Sequence, residues 1–174
     1  MPNIFIISDT HFGHESICHF IDSNGKKIRP FSSAAEMDEF MVEKWNKLVR
    51  PNDKIYHLGD IAIKRQSIKI LGRLNGQKVL IRGNHDIFKL GDYTAYFKDI
   101  RATHRLAKML VLSHIPLHRD SLKLGVFNVH GHTHANNITR DGHSDPKYLN
   151  VCVEKTDYAP IDLEEVLKRV INPS

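Results

Sequence analysis

The sequence is poor in cysteine and in long apolar runs, and each shortage excludes a class of protein. Cys18 and Cys152 are the two cysteines among 174 residues, and they form no close pair that would indicate a disulfide framework or a thiolate zinc site. We interpret both as packed thiols in a reducing cytoplasm. The longest apolar runs, IFII and MLVL, have the length of strands and are too short to cross a bilayer. No basic segment with a cleavage site opens the chain, so we expect a cytoplasmic protein without a membrane partner.

The chain also lacks internal repeats, low-complexity tracts and Pro/Gly-rich linkers. We therefore expect one domain over residues 1–174, which is an ordinary length for a single domain. The formal net charge of +5 is spread along the chain, and it would favour a phosphate-bearing partner through electrostatic steering. What is abundant is histidine, with 12 residues, and that abundance asks for a metal or acid–base explanation.

The hydrophobic pattern alternates short apolar strands with amphipathic helices. Ser33 is the expected N-cap of a helix over 31–51, with Glu36 three residues later and Pro51 at its end. Its apolar stripe is expected in the core: Met37, Phe40, Met41, Trp45, Leu48 and Val49. Further helices are expected over 66–76 and 162–170, the last opened by Asp162. Strands are expected over 3–9, 53–60, 78–86, 109–114, 125–132 and 147–154. This order predicts an α/β layered fold, with a mixed sheet or a pair of sheets and helices outside.

Polar clusters follow five of these apolar strands, at the position where ligand crevices form in layered α/β folds. The clusters are SDTHFGH, LGD, GNHD, SH and GHTH. Asp9 and His11 stand at i, i+2, a spacing that would turn both side chains the same way if the strand continued. Taken alone, Asp60 is more typical of a turn or a helix N-cap, and His114 of a structural histidine, so the recurrence of the clusters carries the argument. Gly59, Gly83 and Gly131 precede polar residues where the backbone turns tightly or approaches a bound group.

The donors in these clusters are nitrogen and oxygen, with no thiolate. Seven candidate ligands exceed what one tetrahedral zinc ion needs. They suit two divalent first-row ions, with Mn²⁺ expected and Fe, Zn²⁺ or Ni²⁺ as alternatives. Two such ions can stabilise the attacking and leaving oxygens of a phosphoryl displacement. The seven candidates are Asp9, His11, Asp60, Asn84, His114, His132 and His134.

The ordered series D-x-H, GD, GNHD, lone His and GHTH resembles the calcineurin-like metallophosphoesterase superfamily, in the form of its compact bacterial and phage members. The resemblance implies a layered β-sandwich of mixed sheets flanked by helices. It also implies that Asp9, His11 and His134 hold a first metal, that Asn84, His114 and His132 hold a second, and that Asp60 bridges the two. His85 would lie near the scissile phosphate as a catalytic histidine that binds no metal. A metal-bridging hydroxide would then attack phosphorus in line.

The resemblance implies a phosphate-ester substrate, and we favour phosphodiesters of the nucleotide type, including a nucleic-acid end. The stretch GDIAIKRQS departs from the arginine-bearing motif expected of a protein phosphatase, so no phosphate-binding role is carried over to Lys64 or Arg65. The alternatives are a phosphomonoesterase or protein phosphatase of the same superfamily, and a non-catalytic metal-binding scaffold. Side chains that could contact the substrate, or simply lie in surface loops, are Arg82, His14, His118 and Arg119. Asp86 could orient a neighbour or cap the backbone, and His130 is expected to be packed.

Overall fold

The computed structural model describes residues 2–21 and 25–172, and two β-sheets organise this part of the chain. In chain order the strands are β1 (Ile4–Ile7), β2 (Lys54–His57), β3 (Gln77–Ile81), β4 (Phe97–Arg101), β5 (Thr103–Leu106), β6 (Leu110–Ser113), β7 (Phe127–His130), β8 (Thr139–Arg140), β9 (His143–Ser144), β10 (Tyr148–Asn150) and β11 (Ile161–Asp162). The α-helices are α1 (Ala34–Leu48), α2 (Leu90–Thr94) and α3 (Leu163–Ile171). Single 3-10 turns or longer 3-10 helices occupy Glu15–Cys18, Arg65–Arg73, Arg119–Ser121 and Val153–Lys155.

The first sheet has the strand order β11-β1-β2-β3-β4, and the second has the order β10-β7-β6-β5. Strands β1 to β4 run parallel, as do β6, β7 and β10, while β11 and β5 pair antiparallel with their neighbours. A small hairpin pairs β8 with β9. Parallel and antiparallel pairing in two packed sheets with helices outside confirms the predicted layered α/β fold.

The first sheet is buried on both faces, so its central strands are nearly continuous apolar runs. In β1, Phe5 and Ile7 face the cluster that packs under α1, whereas Ile6 faces the core between the two sheets. Helix α3 closes that second core through Val166 and Val170. The alternation follows from the two-residue period of a strand, and it leaves the strand ends as the places where polar residues gather.

Helix α1 begins as predicted. The Ser33 side chain accepts from the Glu36 backbone N–H at 3.2 Å, and the helix ends at Leu48, before Pro51. The expected core stripe is partly wrong, because Phe40 and Leu48 are exposed by 37% and 45%, whereas Met37, Met41, Trp45 and Val49 are buried. Asp162 caps α3 as predicted, accepting from the backbone N–H of Glu164 at 2.7 Å.

Other expectations about elements need correction. The helix expected over 66–76 is a 3-10 helix, in which Ile68 and Leu71 are buried at the i, i+3 spacing that this tighter helix aligns. The strand expected over 147–154 ends at Asn150, whose side chain accepts from the Cys152 backbone N–H at 2.9 Å and turns the chain away. Strands β4 and β5 were not expected, because their half-exposed sequences FKDIR and THRL lack an apolar run.

The carboxyl ends of the parallel strands in both sheets meet at one edge of the molecule. An isolated parallel bridge joins Ser8, just after β1, to Cys152, after β10. The segments that follow β1, β2, β3, β6 and β7 therefore converge where the two sheets come together, and they carry the five polar clusters. Within the described residues, no helix has the length and apolar character needed to span a membrane.

Candidate metal centre

The backbone at the candidate ligands adopts a conformation that side chains normally avoid. Five positions have φ in the left-handed region, with values of 49° to 69°, where residues other than glycine are uncommon. They are Asp9, His11, Asp60, His132 and His134. The expected extended spacing of the first pair is therefore wrong. β1 ends at Ile7, and left-handed turns rather than strand alternation bring Asp9 and His11 together. Strain of this kind persists where the surroundings fix it, and it clusters at functional sites.

The first group of converging side chains contains Asp9, His11 and His134. Asp9 Oδ1 lies 3.7 Å from His11 Nε2 and 4.0 Å from His134 Nε2. Asp9 Oδ2 is held from behind by the Ser8 hydroxyl at 2.5 Å, the His132 backbone N–H at 2.9 Å and the Cys152 thiol at 3.2 Å. These donors occupy one carboxylate oxygen and leave the other turned toward the two imidazoles.

The second group contains Asp60, His114 and His132, with Asn84 beside them. Asn84 Oδ1 lies 2.8 Å from His114 Nε2 and 2.9 Å from His132 Nδ1. His114 Nδ1 lies 2.7 Å from the Leu58 carbonyl oxygen, to which it donates, so the lone pair of the neutral ring is on Nε2. A lone pair on nitrogen thus faces the amide oxygen of Asn84.

The donor set fits divalent cations. Among the described residues, Asp9 Oδ1 and both ring nitrogens of His11 are buried with no hydrogen-bond partner. Buried polar atoms left unpaired are costly, and a cation bound between these atoms would satisfy them. Nitrogen and oxygen donors suit the first-row divalent ions. In each group the candidate ligand atoms all lie within 4.8 Å of one another, which is the close grouping that a shared ion requires.

The pKa values of the candidate ligands are shifted in different directions by their surroundings. Burial would raise the pKa of Asp9, but the nearby imidazole of His11, 3.7 Å away, and the charge of His114 outweigh burial and lower that pKa. Burial lowers the pKa of His11 and, with the charge of His114 added, that of His132.

Burial would lower the pKa of His114 and of His134, but the carboxylates of Asp60 and Glu154, respectively, outweigh it and raise both values. Metals bind carboxylates and neutral imidazoles, so these two rings must release any extra proton when an ion binds.

Asp60 lies between the two groups. Its Oδ2 is 3.7 Å from His11 Nε2 and 3.4 Å from His114 Nε2, while its Oδ1 accepts from the His85 backbone N–H at 2.9 Å. The neighbouring Asp86 caps the backbone: it accepts from the N–H groups of Asp60, Ile61 and Gly83 at 2.8 to 3.1 Å. Of the two roles considered for Asp86, the structure therefore supports backbone capping.

Two glycines make room for the carboxylates. A Cβ at Gly83 would lie 2.2 Å from Asp60 Oδ1, and a Cβ at Gly131 would lie 2.3 Å from Asp9 Oδ2. Neither glycine has a positive φ, so both are required by the close approach of a side chain. His130, beside Gly131, is buried as expected, and its Nδ1 lies 2.8 Å from the Gly131 carbonyl oxygen.

Some of the candidate catalytic and substrate-binding residues lie beside the ligand groups, and others do not. The ring centroids of His85 and His14 each lie 5.6 Å from that of His11. Burial, together with the charge of His11, lowers the pKa of His14 to about 4. Arg82 instead holds its own loop, donating to the Asp86 carbonyl at 2.7 Å.

His118 and Arg119 lie along a surface cavity of about 580 Å³, and none of the seven candidate ligands lines that cavity. Arg119 pairs with Asp145, while His118 accepts from the Asp120 backbone N–H at 3.4 Å. A guanidinium already paired with a carboxylate is less available to a phosphate. Their place after the SH cluster in the sequence therefore did not bring them next to the candidate ligands.

Sequence reasoning missed two buried charged residues beside the first group. Arg29 donates to the carbonyl oxygens of Asp9 and Thr10 at 2.6 and 2.9 Å, and Glu154 Oε1 accepts from His134 Nδ1 at 2.9 Å. Neither belongs to a recurring motif or follows a strand in the way the five clusters do. No signal in the sequence separated them from ordinary surface charges.

Comparison with known proteins agrees with this geometry. The family model for calcineurin-like phosphoesterases matches residues 2–163. An uncharacterized protein of Methanocaldococcus jannaschii is 33% identical, with 98% of this chain and 92% of that protein covered. The gene 66 protein of Mycobacterium phage D29 is 26% identical, with 93% and 94% covered. Among solved structures, a protein of unknown function from Aquifex aeolicus has a TM-score of 0.71 at 25% identity, with 97% and 99% covered. The chain belongs to the calcineurin-like phosphoesterase family.

Proposed function

We propose that this phosphoesterase uses two divalent ions, with Mn²⁺ preferred, to hydrolyse phosphodiesters of the nucleotide type. The observation that carries the proposal is the place of Asp60 Oδ2, 3.7 Å from an imidazole nitrogen of the first group and 3.4 Å from one of the second. A carboxylate oxygen between two groups of nitrogen and oxygen donors would suit a site that holds two cations. On this proposal Asp9, His11 and His134 hold one ion, and Asn84, His114 and His132 hold the other.

When bound, the ions would supply Lewis-acid stabilisation of the phosphoryl oxygens and lower the pKa of a water ligand. The protein's own contribution is preorganisation. A hydrogen bond to Asp9 Oδ2 fixes the direction of the other oxygen, Asp9 Oδ1. A hydrogen bond to Asp60 Oδ1 fixes the direction of Asp60 Oδ2 in the same way. Fixed donors and acceptors need no reorganisation during the reaction, and that is a major source of catalytic rate.

His85 is proposed to move the proton. Its backbone N–H is tied to Asp60 Oδ1 while its side chain is exposed, next to His11. An imidazole anchored in this way can donate a proton from a ring nitrogen to the leaving oxygen of the ester. His14, whose ring centroid lies 5.6 Å from that of His11, is proposed to contact the phosphate group.

The proposed substrate class rests on the exposure of the second group to solvent and on the lack of a free arginine next to the GD cluster in the described part of the chain. Asn84, His85 and His132 are exposed, so the second group is open to a substituent on each side of a phosphodiester. Arg65, next to the GD cluster, pairs with Asp92 at 2.6 Å at the surface, which leaves it without the role that a protein phosphatase would need. The net charge of +5 favours a polyanionic substrate such as a nucleic-acid end.

The test is hydrolysis of bis-p-nitrophenyl phosphate and p-nitrophenyl phosphate with added Mn²⁺ and, separately, with a chelator. We expect turnover that needs the ion and a higher kcat/KM for the diester. A preference for the monoester would favour a phosphomonoesterase, and no turnover with any divalent ion would favour the non-catalytic scaffold.

A pair of matched variants distinguishes loss of the proposed metal site from general effects of an aspartate-to-asparagine substitution. Asp60→Asn removes the proposed bridging charge, and Asp141→Asn makes the same change at another left-handed position, φ 52°, in an exposed loop. Asparagine tolerates this backbone conformation, so both variants should fold. We expect Asp60→Asn to lose turnover and Asp141→Asn to keep it.

A further inference from the structure

A fully buried guanidinium lies beneath the first ligand group. The side chain of Arg29 is 0% exposed, and it comes from the irregular segment that precedes α1. It donates to the Asp9 carbonyl at 2.6 Å and to the Thr10 carbonyl at 2.9 Å. Arginine is rarely buried to this degree without a paired charge. Here its donors are directed at the left-handed turn that presents Asp9.

The paired charge is Glu154, in the 3-10 turn Val153–Lys155. Its Oε1 accepts from Arg29 Nε at 2.8 Å and from His134 Nδ1 at 2.9 Å. Because His134 donates from Nδ1, its neutral ring carries the lone pair on Nε2, and that atom lies 4.0 Å from Asp9 Oδ1. The buried Arg29–Glu154 ion pair therefore contacts two members of the first group: Arg29 contacts the backbone of Asp9, and Glu154 contacts the ring of His134.

We propose that Glu154 and Arg29 are positioning residues that set the affinity of the Asp9–His11–His134 group for its ion, an inference that rests on the proposed function. A carboxylate that fixes the tautomer and direction of a ligating histidine contributes about 10–100-fold to metal affinity. The second group is built differently, since His114 Nδ1 donates to the neutral Leu58 carbonyl. The pair therefore acts on one of the two ion sites and leaves the other unchanged.

The test is titration of metal-free wild type and Glu154→Gln with Mn²⁺, following each binding step by calorimetry. We expect one of the two steps to weaken by about 10–100-fold and the other to stay within about twofold. Glu165→Gln is the matched control, because Glu165 also pairs with an arginine, Arg169, at 2.8 Å but at the surface. Both of its steps should equal those of wild type.

A second readout needs no metal. In ¹⁵N-histidine NMR spectra of the metal-free protein, His134 should carry its proton on Nδ1 in wild type and should lose that preference in Glu154→Met, which removes the acceptor. Should either variant fail to fold because Arg29 is left unpaired, Arg29→Met combined with Glu154→Met removes both charges and the acceptor, and the same two results are expected.

The outcomes separate this inference from the proposed function. A folded variant with two wild-type binding steps, or with an unchanged His134 tautomer, overturns the positioning role alone. Wild-type protein that binds no divalent ion overturns the proposed function, and the positioning role with it.

Discussion

Several residues at the candidate centre adopt an unfavourable backbone conformation that brings their side-chain donors together. A left-handed conformation costs a residue with a Cβ roughly 1–2 kcal/mol, yet His11, Asp60 and His132 all adopt it. His11 adds the cost of two buried ring nitrogens without a partner among the described residues. In the metal-free protein these terms oppose folding, so the ligand positions should be places where function limits stability.

Replacing His132 by glycine tests this cost. His132 is exposed and has φ 69°, so His132→Gly relieves the backbone and loses little packing. We expect the free energy of unfolding of the metal-free protein to rise by about 1 kcal/mol, with weaker Mn²⁺ binding, as measured by urea unfolding and calorimetry.

The control is His143→Gly, an exposed strand residue without a positive φ. It should be neutral or slightly destabilising, because glycine loses more conformational freedom on folding. An equal effect of both substitutions would contradict the strain argument.

Substitution of His85 should lower the rate of hydrolysis without changing metal binding. His85→Ala removes the exposed imidazole but keeps the backbone N–H that donates to Asp60 Oδ1. We therefore expect both Mn²⁺ ions to bind as in wild type, while kcat for the diester falls by about 10²–10⁴-fold. His143→Ala should change neither quantity, and unchanged kcat in His85→Ala would refute a role in proton transfer.

At the scale of elements, the sequence predicted strands and caps better than irregular segments. The caps at Ser33 and Asp162 and the apolar strands depend on neighbouring residues, so their signals are local. Strand β4 was missed because its stability comes from pairing with β3, which local pattern does not encode. The clustering of ligands after strands was predictable from five repeated placements. Arg29 and Glu154, 125 residues apart, meet only in the folded protein.

Helix α1 is joined to the HFGH loop by one partly buried carboxylate. Asp38 accepts from the Gly13 backbone N–H at 3.0 Å, and burial raises its pKa from 3.8 to about 6. A raised pKa in the folded state means that folding favours the protonated form. Its contribution to stability is therefore complete below about pH 4 and is lost as the pH rises through about 6.

Asp38→Asn should consequently stabilise the protein at pH 8, where wild type has a charged carboxylate in this partly buried place. We expect a gain on the order of 1 kcal/mol at pH 8, allowing for solvent screening, and no gain at pH 3.5, from denaturant unfolding at each pH. The neighbouring exposed Glu39, whose pKa Arg73 lowers, is the control, and Glu39→Gln should bring no gain at pH 8. A gain for Asp38→Asn that is the same at both pH values would contradict the linkage.

At the scale of the whole molecule, each ligand group joins the two sheets. The first group combines Asp9 and His11, which follow β1, with His134, which follows β7 in the second sheet. The second group likewise combines Asp60, after β2, with His114, after β6. An ion in either group would add a link between segments of the two sheets that already meet through the Ser8–Cys152 bridge and the hydrogen bond from the His132 backbone N–H to Asp9 Oδ2. Metal binding and folding should therefore be coupled.

This coupling predicts a metal-dependent melting temperature. A ligand at 100 times its Kd stabilises the native state by about 2.7 kcal/mol, which for a domain of this size corresponds to roughly 5–10 °C in Tm. We expect calorimetric Tm values of the chelator-treated protein to rise by that amount on addition of Mn²⁺. In Asp60→Asn, which weakens both groups at once, the rise should be largely lost, whereas Asp141→Asn should keep it. If the ions bind and Tm does not change, the ligand groups do not hold the two sheets together.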